Sequence, residues 1–203
     1  MATKQPKWKK IEKSVRKLVE VLNEELGWFN KEELENTPTR IMKFYKEWYE
    51  NTQYEKFTTF SNGDGDYGSK YKFDQLVVLK DITLHSMCSH HMLPFFGKAY
   101  IAYLPGEKVI GVSKLARIVR KYASKPQIQE QLTQEVAEEL YNILKPKFLI
   151  VVMKARHTCM IIRGAREHES EMVTSAVKYN ENDEKISKNW QSLKEEALKL
   201  FGF

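Results

Sequence analysis

Two cysteines stand 71 positions apart, and each has histidine beside it, in Ser86-Met87-Cys88-Ser89-His90-His91 and in Ala155-Arg156-His157-Thr158-Cys159. A Cys-x-x-His turn joined to a distant His-x-Cys supplies three soft or borderline ligands to one metal, and a Cys₂His set suits Zn²⁺. Three protein ligands leave one coordination position open, as hydrolytic zinc centres do and four-ligand structural sites do not. Three of the five histidines gather at these cysteines. The plainer reading, two buried and inert thiols, stays open at this point. A disulfide does not suit a sequence that reads as lacking a secretory leader and a disulfide framework.

The elements that must carry these residues are read from periodicity. Trp8, Ile11, Val15, Leu18, Leu22 and Leu26 recur at helical spacing, with Gly27 as a stop. Thr37-Pro38 reads as the start of a second helix bearing Ile41, Phe44, Tyr45 and Trp48. Residues 1–50 are thus expected to form an N-terminal helical arm, and 51–74 a loop. Asn62-Gly63-Asp64-Gly65-Asp66 opens like a calcium loop, but Tyr67 and Phe73 stand where glycine and glutamate are required, so a turn is expected.

Strands are expected over 75–84 and 97–104, then a helix capped by Ser113 and interrupted at Lys125-Pro126. A second helix carries Ile128, Leu132, Val136, Leu140 and Ile143, and strands follow over 148–162 and 172–179. On that reading His157 and Cys159, two apart on a strand, share a face. Two strands, two helices and two strands predict an α+β domain over 75–179, with helices on one face of an antiparallel sheet. The polar tail, 180–203, is expected to hold a helix over 192–200.

At 203 residues, 42% of them hydrophobic, the chain is long enough for one cored domain with appendages. The net charge of +6 is compatible with nucleic acid, an anionic surface or a phosphorylated small molecule. The 33 basic residues are interspersed with 27 acidic ones, which argues against a nucleic-acid partner. The dense basic cluster Lys4, Lys7, Lys9 and Lys10 heads an amphipathic segment and reads as a solvated helix end. No apolar run approaches the roughly 18–20 residues that span a bilayer, so no membrane association is expected and the reading is cytoplasmic. The sequence contains no internal repeat or low-complexity tract.

Five segments together resemble GTP cyclohydrolase I. They are Thr37-Pro38-Thr39-Arg40, the cysteine segment 86–98, Gly111-Val112-Ser113-Lys114-Leu115-Ala116-Arg117, Gln127-Ile128-Gln129-Glu130-Gln131-Leu132-Thr133, and His157-Thr158-Cys159-Met160-Ile161-Ile162-Arg163-Gly164. They occur in the family order over 36–177. The resemblance implies the tunnelling fold, a four-stranded antiparallel sheet with two helices on one face. It also implies a homodecamer of two stacked pentameric barrels, and closure of that kind leaves no free sheet edge. The implied reaction turns GTP and water into 7,8-dihydroneopterin triphosphate and formate.

By the same resemblance, Cys88, His91 and Cys159 hold Zn²⁺, which lowers the pKa of a bound water toward 7. His90 and His157 transfer protons, a task suited to imidazole near neutrality, and Ser113 assists later proton transfers. Lys114, Arg117, Arg163 and Arg40 meet the triphosphate, with Arg40 reaching a neighbouring subunit's site. Glu130 reads guanine, because a carboxylate accepts from both N1–H and the exocyclic amine. Gln129 matches an adjoining pocket position.

Two departures from the family pattern stand out. Ser89 replaces the usual glutamate of Cys-Glu-His-His, and Gln131 replaces a common arginine. Ser89 is the one feature that favours a divergent zinc- and nucleotide-binding paralogue with altered turnover. A related nitrile reductase of the deazapurine pathway would need a nucleophilic cysteine free of metal, which the two Cys–His pairs oppose. Folate, biopterin and queuosine-type deazaguanine synthesis all begin with this reaction, and the sequence does not choose among them.

Overall fold

The computed structural model describes residues 6–52, 57–63 and 72–203. Part of the expected turn at 62–66 lies outside them, as does Lys4. The chain divides into two compact units, Met1–Asn51 and Thr52–Phe203.

The first unit is a helix pair. Helix α1, Trp8–Leu26, ends as expected at Gly27, whose left-handed conformation suits a residue without Cβ. Helix α2 spans Lys31–Asn51 and contains Pro38, so the expected start at Thr37-Pro38 is corrected. A reciprocal cap starts it earlier: Asn30 Oδ1 accepts from the Glu33 amide at 3.0 Å, and Glu33 Oε2 accepts from the Asn30 amide at 3.0 Å. Pro38 lacks an N–H and so leaves the Leu34 carbonyl without its helical partner. Neighbouring turns carry the helix through.

The second unit is built on one sheet. Strand β1, Thr59–Ser61, lies inside the segment expected to be loop and pairs with β4, Lys108–Ile110, as a small separate ribbon. The main sheet contains β2, Val77–Cys88; β3, Pro94–Leu104; β5, Pro126–Gln127; β6, Phe148–His157; and β7, Met172–Tyr179. Its order is β5-β2-β3-β6-β7. The four long strands are antiparallel, and the two-residue β5 adds in parallel beside Met87 and Cys88.

Two helices cover one face: α3, Val112–Ala123, and α4, Gln129–Leu144. Between them and the sheet lie Leu84, Ile101, Leu115, Ile118, Leu132 and Val151. The opposite face is covered by α6, Glu184–Phe201, which buries Ile186, Ala197 and Phe201 against Tyr100, Ile150 and Val152. This helix starts earlier than expected, because Asp183 caps it by accepting from the Lys185 and Ile186 amides. Strand β6 is therefore apolar on both faces, which explains its unbroken run of Phe, Leu, Ile and Val.

A candidate metal centre at one end of the sheet

Strand β2 ends at Cys88, and the chain folds back at once into β3. The fold-back is closed by backbone bonds, Met92 N–H to Cys88 O at 2.9 Å and Cys88 N–H to Leu93 O at 2.8 Å. Met92 adopts a left-handed φ of 54° to make the turn. The strand end is anchored from behind. The buried Ser86 hydroxyl donates to Ala123 O at 2.8 Å, and Ser89 N–H donates to Gln127 O at 3.2 Å. The loop therefore presents His90 and His91 from a rigid base.

Cys159 arrives differently from the expectation. Strand β6 stops at His157, and Thr158–Ile161 form a single helical turn, α5. Cys159 is thus not on a strand, and the shared-face argument with His157 is corrected. The turn is seated by the Thr158 hydroxyl, which donates to Pro94 O at 2.7 Å. This bond joins the two cysteine segments where β3 begins.

The result is a cluster. Ligand atoms of Cys88, His91 and Cys159 all lie within 4.8 Å of one another. Cys88 Sγ is 3.8 Å from His91 Nδ1. Both cysteines are free thiols, Cys88 buried and Cys159 half-buried. Burial first, and then the neighbouring Cys88, pushes the Cys159 thiol above its ordinary value. An imidazole and two thiols brought this close, one of them disfavouring its own anion, form a site that a divalent cation would stabilise.

A second group adjoins it. His157 stacks on Phe95 with ring centroids 4.4 Å apart and planes 9° apart. Its Nε2 lies 2.9 Å from Gln129 Oε1. Burial lowers the His157 pKa, and the charge of Glu130 opposes that shift. Gln129 itself is 0% exposed. Gln129, expected at an adjoining pocket position, has both ends of its side-chain amide engaged within the chain. Apolar patterning missed this role, although Gln129 and Thr133 form a polar i,i+4 pair on the buried face of α4.

The remaining expected residues occupy other elements. Arg163 follows α5 and reaches back, its Nη1 2.8 Å from His91 Nε2. His90 is exposed, its ring 6.3 Å from that of His91. Glu130 is exposed on the first turn of α4. Ser113, Lys114 and Arg117 lie along the first turns of α3. The N-cap there is Gly111, so Ser113 is not the cap that was expected. Arg40 lies on α2 in the other unit.

An antiparallel sheet covered on one face by α3 and α4, with a thiol–imidazole cluster at one end, places the second unit in the α+β tunnelling-fold class. The sequence matches the family described as GTP cyclohydrolase I over residues 11–194, and the chain belongs to that family. It is 45% identical over 166 residues to GTP cyclohydrolase 1 of Sulfurihydrogenibium sp. (strain YO3AOP1), covering 82% of this chain and 83% of that protein. It is 41% identical over 169 residues to GTP cyclohydrolase 1 of Bacillus subtilis (strain 168), covering 83% and 85%. With GTP cyclohydrolase 1 of Streptococcus sanguinis (strain SK36) it shares 41% identity over 198 residues, covering 96% and 98%. No helix among the described residues is long and apolar enough to cross a membrane.

Proposed function

We propose that this protein converts GTP and water to 7,8-dihydroneopterin triphosphate and formate, with Zn²⁺ held by Cys88, His91 and Cys159. The observation that carries the reading is the convergence of those three ligand atoms within 4.8 Å, from two segments far apart in sequence, in a member of this family. The donor set fits the ion: two sulfurs and one imidazole nitrogen suit Zn²⁺, and three ligands leave room for a reactant. When bound, the metal supplies Lewis acidity and an activated water at neutral pH.

The protein's own groups account for the rest. His157, held neutral by burial beside Phe95 and Gln129, is suited to moving a proton at the purine nitrogen as the imidazole ring opens. His90 serves as a second, solvent-facing proton-transfer group, and the Ser113 hydroxyl assists proton transfers during the ribose rearrangement. Glu130 accepts from guanine N1–H and the exocyclic amine. Lys114 and Arg117 bind the triphosphate at the start of α3, where backbone N–H groups also favour an anion. Arg163 and Arg40 complete the phosphate set, with Arg40 serving a neighbouring subunit.

That sharing makes the working enzyme an oligomer, and we infer a decamer of two pentamers. The protein acts in the cytoplasm, without nucleic-acid or membrane partners, at the entry to pterin and folate or 7-deazaguanine synthesis. The test is formate release from GTP, together with fluorescence of the oxidised pterin product. Parent protein loaded with zinc should form both products, and Cys159→Ala should lose the metal and both signals. Full activity in protein free of transition metal would overturn the assignment.

A further inference from the structure

The buried amide of Gln129 permits only one orientation. Its Nε2 lies 3.1 Å from Met153 O and 3.0 Å from Met172 O, on adjacent strands β6 and β7. Carbonyl oxygens only accept, so the group facing them is the NH₂. A third contact agrees. Thr133 Oγ1 donates to Gln129 O at 2.8 Å, so it must accept across the 2.6 Å contact from Thr174 Oγ1. With its proton spent on Thr133, Thr174 Oγ1 has only lone pairs for Gln129 Nε2, 3.1 Å away. Nε2 thus faces three acceptors with two protons, and none of the three can donate to it.

Gln129 Oε1 is then the atom that faces His157 Nε2 at 2.9 Å. An amide oxygen only accepts, so Nε2 of His157 must be an N–H. In the neutral ring the lone pair is left on Nδ1. Phe95, stacked face to face with the imidazole, holds the ring in the orientation that keeps this bond.

We propose that Gln129 is a positioning residue: it fixes His157 as the Nε2–H tautomer and so sets Nδ1 as the ring nitrogen that presents its lone pair. This rests on the reading of His157 as a proton-transfer group. A tautomer set by a neighbour that cannot invert its own polarity costs nothing to reorganise during turnover. The Met153 and Met172 carbonyls prevent that inversion, and the Thr133–Thr174 pair adds a third acceptor that links α4 to β7.

The experiment is a two-bond ¹⁵N–¹H correlation spectrum of ¹⁵N-histidine-labelled, zinc-loaded protein above neutral pH. His157 is assigned by comparison with His157→Asn, and kcat and KM for GTP are measured alongside. The parent should show Nε2 protonated and Nδ1 bare. Gln129→Met, of similar length but with no amide, should lose that single-tautomer signature and at least about tenfold in kcat, with KM within about twofold. Thr174→Val leaves both carbonyls in place and should keep the Nε2–H signature. A parent ring protonated on Nδ1 would overturn the proposal, and so would a Gln129→Met protein that keeps both the Nε2–H signature and kcat. The parent spectrum decides the tautomer even if a variant does not fold. Failure of the parent to release formate would overturn the proposed function, whereas the spectrum judges Gln129 independently of turnover.

Discussion

Nη1 of Arg163 stands 2.8 Å from Nε2 of His91. A guanidinium only donates, so Nε2 accepts, and the neutral ring carries its proton on Nδ1, the nitrogen 3.8 Å from Cys88 Sγ. A metal held by Nδ1 would reverse this: Nε2 would be the N–H, two donors would face each other, and Arg163 would have to swing away. Arg163 is exposed, so the swing has a path.

Arg163→Ala should therefore bind zinc more tightly by a few-fold, because loading no longer breaks a hydrogen bond worth about 1 kcal/mol. Arg163 also favours the Cys159 thiolate, a smaller effect in the opposite direction. Competition against a chromophoric chelator measures the outcome. The same variant should raise KM for GTP, because the freed guanidinium is assigned to the triphosphate. Weaker zinc binding than the parent would show that the arginine supports the site.

Zinc binding should strengthen with rising pH. Burial and the adjacent Cys88 hold the Cys159 thiol above its usual value, so the metal-free site carries a proton at neutral pH. The metal takes the thiolate and expels that proton. Calorimetry in buffers of different ionisation heat should report proton release, and the affinity should climb from about pH 6 to about pH 8. A flat profile would mean that the thiols are already ionised.

Base selection should depend on Glu130. Its carboxylate gains two donors from guanine, whereas adenine offers a ring lone pair in their place. Mispairing of that kind costs on the order of a few kcal/mol, or about a hundredfold in discrimination. Glu130→Ala should lose most GTP turnover while its zinc content, read by elemental analysis, stays at the parent level. Parental kcat/KM for GTP would return Glu130 to the status of an exposed helix glutamate.

Stability should hinge on Gly97. It pairs with Ala155 between β3 and β6. A Cβ built there would fall 1.9 Å from Lys154 O and 2.7 Å from the Ala155 Cα, both backbone atoms that cannot rotate away. Gly97→Ala should cost about 2 kcal/mol or more, seen as a lower urea midpoint. The same strand pair seats Phe95 opposite His157, so the imidazole stack should loosen as well. An unchanged midpoint would show that the strands part without cost.

Some of this was legible in the chain itself. Cys88, His91 and Cys159 announced a candidate metal site because ligand chemistry belongs to residue type and to short turns. The end of α1 at Gly27 and the span of β7 were read from local signals for the same reason: backbone freedom and alternation act within a few residues. Where two local signals competed, the stronger one was not obvious. The reciprocal cap of Asn30 and Glu33 starts α2 ahead of the Thr37-Pro38 signal, and a proline in an otherwise good helix is carried by the turns around it.

Contacts between distant segments decided the remainder. Apolar residues at 148–153 and again at 159–162 suggest one strand over 148–162, yet the strand ends at His157, where the Thr158 hydroxyl finds Pro94 O, 64 residues away in sequence. The match to the family pattern places Gln129 beside the pocket and says nothing of its burial. Its burial becomes tolerable only when the carbonyls of Met153 and Met172 and the Thr174 hydroxyl receive its amide protons. A buried polar group is stable only with its partners in hand, and those partners come from two other strands, so no pattern along the sequence could have supplied them.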